Sequence, residues 1–218
     1  MTEKVHAQLS DDHISSALAP FGVQLATEQT SQVREYVKLL LKWNQSLSLT
    51  SVLDPAEIVA RHFGESMFVR RLIPVQNCRL ADLGTGAGFP GLALKIACPT
   101  LQIRLIESNK KKCAFLSEIA RSLKLEDVEV MATRFEEIRA SNDFVEIVTA
   151  RAVGGFSDIL RWSKRSLVHR GHVILWLGGE DVTKISSIPG WLWQPAIKIP
   201  ESQRRFVLIG RPAPEEKL

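Results

Sequence analysis

The chain has 218 residues and a mass of 24.4 kDa, and its 28 Lys+Arg against 24 Asp+Glu leave a net charge of +4. At about 100–200 residues per domain this is one substantial domain with at most a small appendage. With 45% hydrophobic and 24% charged residues, disordered, collagen-like and coiled-coil classes are excluded. A pI near 9.1 permits a polyanionic partner but does not demand one. Cys78, Cys98 and Cys113 are an odd set without a CxxC pair, so neither a disulfide framework nor a zinc site is written here. Isolated thiols suit a reducing compartment. The opening MTEKVHAQLSDDH lacks an apolar core for secretion, and no stretch approaches the roughly 20 apolar residues a membrane span needs. A cytoplasmic, membrane-free protein is expected.

Residues 1–10 read as a polar tail. Ser10 to Phe21 fits a short helix ended by Pro20. A second helix starts near Thr27, with Thr27 or Thr30 as cap. It carries Val33, Tyr36, Val37, Leu40 and Leu41 at i, i+3, i+4, i+7, i+8 spacing through Trp43. Asp54-Pro55 opens a third helical stretch reaching Phe68, closed by Pro74. Beyond Pro74 short β segments alternate with helical runs. The β segments are 79–83, 102–106, 128–131, 145–149 and 173–177, and the helical runs are 92–97, 108–123, 135–139 and 156–166. Two last β-like segments, 196–199 and 206–209, have no helix between them and are expected to form an antiparallel hairpin at the sheet edge. The pattern predicts an α/β fold with a mostly parallel sheet, divided as a helical extension over 1–74 and a Rossmann-like domain over 75–218.

The segment Leu80–Gly91 places a glycine cluster directly after the first β segment, where the backbone can turn tightly and a ligand can approach the main chain. Two readings compete. Gly86, Gly88 and Gly91 satisfy the GxGxxG dinucleotide spacing, with Glu107 about 20 residues on. Alternatively, Gly84-x-Gly86-x-Gly88 preceded by Asp82 matches the loop of S-adenosylmethionine methyltransferases. Position favours the second. The strand ends at Leu83-Gly84, so dinucleotide spacing from there puts Phe89 where the third glycine belongs. Pro90 then stands, without an N–H, where amides should meet a pyrophosphate. Glu107 suits ribose hydroxyls in either reading, and Asp82 could face a methionine ammonium. The bland roles are a dipole-favoured acid at a helix start for Glu107 and a loop acceptor for Asp82.

From about residue 36 to 210 the chain resembles the bacterial 16S rRNA guanine-N7 methyltransferases, also called glucose-inhibited division protein B. The resemblance lies in Trp43-Asn44 with Leu49-Thr50-Ser51-Val52, Arg61-His62 with Ser66, the GTGAGFPG loop, and Glu107 with Lys111-Lys112 and Phe115-Leu116. It continues in Arg134-Phe135-Glu136-Glu137 and Ala150-Arg151-Ala152-Val153. It implies a class I S-adenosylmethionine methyltransferase fold with an antiparallel last strand. It implies S-adenosyl-L-methionine as cofactor, with donor contacts from Gly84, Phe89, Phe135-Glu136 and Arg151, Glu136 toward the adenine amine and Arg151 at the reaction centre. The implied partner is 16S rRNA or the small ribosomal subunit, met by a monomer. Three positions depart from the family pattern: Glu65 where Asp is usual, Ser48 where Asn is usual, and Leu177 before Gly178 where Lys is usual.

Guanine N7 offers an exposed lone pair, so catalysis can rest on alignment and electrostatics. Thr149-Ala150-Arg151 is not the Asp/Asn-Pro-Pro-aromatic motif suited to an exocyclic amine, and none of the cysteines follows the fourth strand as a nucleophile. His169-x-x-His172 straddles a turn and reads as a bystander. Candidates for RNA phosphate are Arg61, Arg70-Arg71, Lys110-Lys111-Lys112, Arg161 with Lys164-Arg165, and Arg204-Arg205, several of which are expected to share the face around the Arg151 edge of the sheet. The alternatives are an NAD(P)-dependent oxidoreductase using Gly86, Gly88 and Gly91, and a small-molecule methyltransferase.

Overall fold

A computed structural model describes residues 9–138, 144–151 and 154–214. Most of the polar tail, Arg139 of the helical signal over 135–139, and Ala152-Val153 of the ARAV segment lie outside the described residues.

The prefix is helical. Helix α1 (Asp11–Leu18) is capped by Ser10, whose Oγ accepts from His13 N–H, and it buries Ile14 and Leu18. Helix α2 (Thr27–Asn44) buries Val33, Tyr36, Val37 and Leu40. Its start is not capped by Thr27 or Thr30: the Gln29 carboxamide oxygen accepts from Ala26 N–H at 2.8 Å, and Thr30 is buried. Gln29 Nε2 also donates to Ile96 O and Gln32 Nε2 to Leu123 O, which ties α2 to two later helices.

Asp54 caps a third helical run by accepting from Glu57 N–H. This run is not uniformly α-helical. It passes from α3 (Pro55–Ile58) through a π-helical stretch (Val59–Gly64) to α4 (Glu65–Met67) and a 3₁₀ turn (Phe68–Arg71). Wider turns of this kind re-aim side chains and concentrate at functional sites; here they set His62 and Glu65. Gly64 faces Phe21 so closely that a Cβ would lie 2.4 Å from the ring.

The remainder is a single sheet ordered β3-β2-β1-β4-β5-β8-β6. Strands β1 (Arg79–Leu83), β2 (Gln102–Ile106), β3 (Val128–Met131) and β4 (Val145–Arg151) are parallel, as is β5 (Leu167–Gly178) beside β4. Strand β8 (Arg205–Pro212) runs antiparallel to β5, and β6 (Trp191–Trp193) and β7 (Ile197–Lys198) pair with its other side. The expected hairpin is therefore β7–β8. Helices α5 (Gly91–Ala97), α6 (Lys110–Ser122), α7 (Phe156–Ser166) and α8 (Gly179–Ser186) cover the faces. The sequence reading missed α8 and β6, and it stopped β5 short at residue 173.

Side chains alternate across the sheet. Leu80, Ile103, Leu105, Ile147, Ile174, Trp176 and Val207 join α2, α5, α6 and the prefix in one buried cluster. Ala81, Leu83, Ile106, Val148, Leu175, Leu177 and Leu208 join α7 and α8 in another. The prefix thus shares a core with the sheet across residues 74 and 75. Leu177 packs into the second cluster as a core residue. Because the chain leaves β1 toward β2 in one direction and returns to β4 in the other, the β1/β4 carboxyl ends form the crevice where such sheets hold ligands.

Candidate functional site

Asp82 near the end of β1 is fully buried. Its Oδ2 accepts from Thr85 Oγ1 at 2.6 Å and from Gly91 N–H at 3.0 Å, and its Oδ1 accepts from Thr149 Oγ1 of β4 at 2.7 Å. Burial raises this carboxyl to about 6, with the three hydrogen bonds pulling the other way. Both oxygens are committed within the fold, so Asp82 holds the glycine loop to two strands.

The loop turns with Gly84, Gly86 and Gly88 at φ of 63°, 58° and 87°. Gly88 is the crowded one: a Cβ there would lie 2.2 Å from the Tyr36 hydroxyl. Gly86 is the open one, since a Cβ would meet only Gly84 O at 3.8 Å. Glu107, following β2, accepts from Gly86 N–H at 3.1 Å and from Asn109 N–H at 2.8 Å, so it joins the loop to the start of α6.

An aromatic stack fixes the other side of the loop. The Phe89 ring lies 5.3 Å from Tyr36 and 4.9 Å from His62 in near-parallel geometry, with Phe63 edge-on at 5.0 Å. Tyr36 Oη donates to Ala87 O at 2.6 Å. Burial lowers His62 to about 3, reinforced by Arg151, Arg61 and Arg205, so its imidazole is neutral. Its Nε2 lies 2.8 Å from Thr50 Oγ1. Thr50 is placed by Asn44, whose carboxamide accepts from the Leu49 and Thr50 N–H groups and donates to Thr50 O.

Arg151 ends β4. Its Nη2 donates to Arg61 O at 2.8 Å and pairs with Glu65 Oε2 at 3.2 Å, and Nη1 reaches Ser66 Oγ. The second oxygen of Glu65 pairs with Arg205 Nη2 at 2.6 Å, and Trp176 Nε1 donates to Glu65 O. The Glu65 side chain is only 2% exposed. Burial raises its carboxyl despite the opposing pull of Arg151 and Arg205, and burial likewise lowers Arg151.

Phe135 begins a 3₁₀ turn after β3 and is buried beside Leu83 and Ile106, with Glu136 exposed next to it. The structure thus gathers Asp82, Gly84, Gly86, Gly88, Phe89 and Glu107 around one loop. Phe135-Glu136 and Arg151 stand at the same carboxyl edge on β3 and β4. Sequence reasoning missed Tyr36, Thr85, Thr149 and the Glu65–Arg205 pair. A signal existed for Tyr36: the chain's one tyrosine lies on an apolar helix stripe, and a buried hydroxyl needs a partner.

Several of the basic candidates gather at the loop end of the sheet, and others do not. Arg61, Lys110–Lys112 and Arg204-Arg205 lie toward the loop end. Lys164-Arg165 close α7 immediately before β5 and so lie at the opposite end of the sheet. Arg70 and Arg71 line a cavity with Pro74, Gln76 and Cys98.

Solved structures share this architecture. A SAM-dependent methyltransferase from Aquifex aeolicus superposes with a TM-score of 0.60 at 16% identity, covering 72% of this chain and 93% of that one. The ribosomal protein L11 methylase from Lactobacillus delbrueckii subsp. bulgaricus gives 0.59 at 16% identity, over 70% of this chain and 79% of that one. The fold is that of the class I S-adenosylmethionine-dependent methyltransferases. The model of the GidB family, described as rRNA small subunit methyltransferase G, matches residues 29–186, and the chain belongs to that family. Ribosomal RNA small subunit methyltransferase G of Xylella fastidiosa (strain M23) is 38% identical over 179 residues, which is 80% of this chain and 83% of its own. The protein of that name from Pseudomonas entomophila is 30% identical over 93% of this chain and 95% of its own. An oxidoreductase reading of Gly86, Gly88 and Gly91 is not favoured by this membership.

Proposed function

We propose that the protein methylates N7 of a guanine in 16S rRNA using S-adenosyl-L-methionine. The observation that carries this reading is the loop itself, anchored on three sides and open at Gly86, at the β1/β4 crevice beside Arg151. Bound S-adenosyl-L-methionine supplies an electrophilic sulfonium methyl. Gly84, Gly86 and Gly88 form its cradle, Glu107 keeps a second lone pair on each oxygen for ribose beside the Gly86 and Asn109 amides, and Phe89 and Phe135 give apolar walls with Glu136 toward adenine. Asp82 acts through the loop, because both of its oxygens already hold Thr85, Gly91 and Thr149.

On the acceptor side the chain needs no general base, since guanine N7 carries its lone pair free at neutral pH. His62, lowered to about 3, holds no proton to give there. Arg151 orients the acceptor, and Glu65 fixes Arg151. Preorganised groups of this kind contribute through alignment rather than proton transfer. No helix among the described residues is long and apolar enough to cross a membrane, and a monomer working on the small subunit in the cytoplasm belongs to this reading.

The test is mass mapping of 7-methylguanosine in 16S rRNA after purified enzyme and S-adenosyl-L-methionine are added to unmodified small subunits and, separately, to naked RNA. Methyl transfer to one guanine is expected. Tight NAD(P) binding without S-adenosyl-L-methionine binding, or methylation of small molecules only, would overturn the reading.

A further inference from the structure

We propose that a cleft at the far end of the sheet from the glycine loop grips the sugar-phosphate backbone of an RNA helix flanking the target. The inference rests on the proposed RNA substrate and extends it to a second contact. The cleft encloses about 400 Å³ and is lined by Lys164, His169, Arg170 and Arg211 together with Leu192 and Pro212. These elements converge by topology: α7 ends where β5 begins, and β8, running antiparallel, ends there too.

Three observations bear on this cleft. The first is pairing. Among the described residues Lys164, Arg170 and Arg211 hold no carboxylate; Arg70, Arg71 and Lys110–Lys112 hold none either, but here three such cations line one cleft. Like charges left together without counter-ions repel one another and are relieved by a polyanion.

The second is how the cations are displayed. Val145 pairs with Leu167 and Ile147 with His172, so one residue of β4 opposes the four residues 168–171 of β5. The surplus forms a bulge that carries His169 and Arg170 outward, both exposed. Bulges re-aim side chains and recur as built features near sites. Arg170 sits at φ of 68°, a left-handed conformation that costs a non-glycine residue free energy and is held here by its surroundings. Gly171 supplies the hold, because a Cβ there would lie 2.9 Å from Leu167 Cδ2 and 3.0 Å from Glu146 O.

The third is electrostatic reach: Arg211 helps burial to lower His172, so its charge is felt inside the same strand end. The cleft joins an apolar lining from Leu167, Val168, Leu192, Pro212 and Ala213 to its cations, so charge supplies the polar part of its recognition. A backbone of regularly spaced phosphates matches three cations without a carboxylate partner among the described residues around one cleft.

Loop and cleft stand at opposite ends of β5; from Leu167 beside Val145 to Trp176 beside Arg151 the sheet advances six residues of β4, about 20 Å at about 3.3 Å per residue. An A-form RNA helix, rising about 2.8 Å per base pair, must therefore extend about seven base pairs beyond the guanine to touch both.

This length requirement makes the test. The full chain is compared with the double variant R170N/R211Q, in which Asn suits the left-handed backbone. Binding is read by fluorescence anisotropy across a salt series. The two probes are a 16S rRNA fragment of about 40 nucleotides around the modified guanine and a truncated one of about 12. On the long fragment the variant is expected to lose about tenfold in affinity and about 1.5 in the slope of log affinity against log salt, at 0.7–0.9 per phosphate contact. On the short fragment, and for S-adenosyl-L-methionine by calorimetry, it should match the parent. An unchanged slope on the long fragment, or an equal loss on both fragments, overturns the cleft. If the parent methylates neither the long fragment nor unmodified small subunits, the proposed activity falls while the slopes on the long fragment still decide the cleft. If the parent binds neither fragment, the cleft falls, and methylation of small subunits alone decides the activity.

Discussion

The Tyr36 hydroxyl donates to the carbonyl of Ala87 at 2.6 Å, and by this bond a helix of the prefix holds the glycine loop. The tyrosine is fully buried, its ring stacks on Phe89, and burial raises its hydroxyl well above the usual phenol range. The phenol therefore stays protonated and donating.

Removing that hydroxyl should weaken donor binding without unfolding the chain. Tyr36→Phe keeps the stack but leaves Ala87 O unpartnered, at a cost of about 1–3 kcal/mol. Thermal melting should register a lower Tm, and calorimetry should show S-adenosyl-L-methionine affinity reduced at least severalfold. Affinity equal to the parent would mean the bond does not shape the donor site.

Gly88→Ala tests the same contact from the other partner. The substitution combines a left-handed φ of 87° with a Cβ 2.2 Å from Tyr36 Oη, so backbone strain and overlap add. A destabilisation of about 2–3 kcal/mol by urea unfolding is expected. Gly86→Ala has strain at φ of 58° but open space, and should cost less stability while still impeding the donor.

Glu65 holds Arg151 and Arg205 with one oxygen each. Glu65→Gln leaves two guanidiniums sharing a site without a counter-charge, and breaking a buried pair in this way costs about 3–5 kcal/mol. If Glu65 positions Arg151, the methyl-transfer rate falls while donor affinity changes little. Glu65→Asp should recover part of the rate, and equal losses in rate and donor affinity would point to general unfolding instead.

His62 makes stability depend on acid. Its imidazole falls from an ordinary 6.5 to about 3 in the folded chain, so the unfolded chain binds the proton more tightly. The stability it contributes is present above pH about 6.5 and is lost progressively as the pH falls toward about 3. Asp82, raised to about 6, has the opposite sign: its contribution falls as the pH rises from about 4 to about 6. The difference between parent and His62→Gln isolates the histidine. Melting curves at several pH values should show a shallower acid loss in the variant, and parallel curves would rule the mechanism out.

Lys95 provides a control remote from the site. Only 2% exposed, it donates to Pro99 O and Leu101 O at 2.6 and 2.7 Å, closing the turn between α5 and β2. Lys95→Met orphans two carbonyls and should cost about 1–3 kcal/mol in chemical denaturation while leaving the affinity of the folded enzyme for its donor intact.

The sequence by itself determined the alternation of strands and helices, the helical prefix and the position of the glycine loop. These follow from local periodicity and from residues, such as glycine and proline, whose backbone preferences act where they stand. It also placed Asp82, Glu107 and Arg151 at strand ends. What those side chains touch was decided only by the tertiary structure. Tyr36 meets Ala87 across 51 positions, and Glu65 meets Arg151 across 86. The same holds for the π-helical turn that aims His62 and Glu65, which local pattern read as ordinary helix, and for the basic residues, divided between two ends of the sheet. Charge along a chain carries no direction until parallel strands give it one.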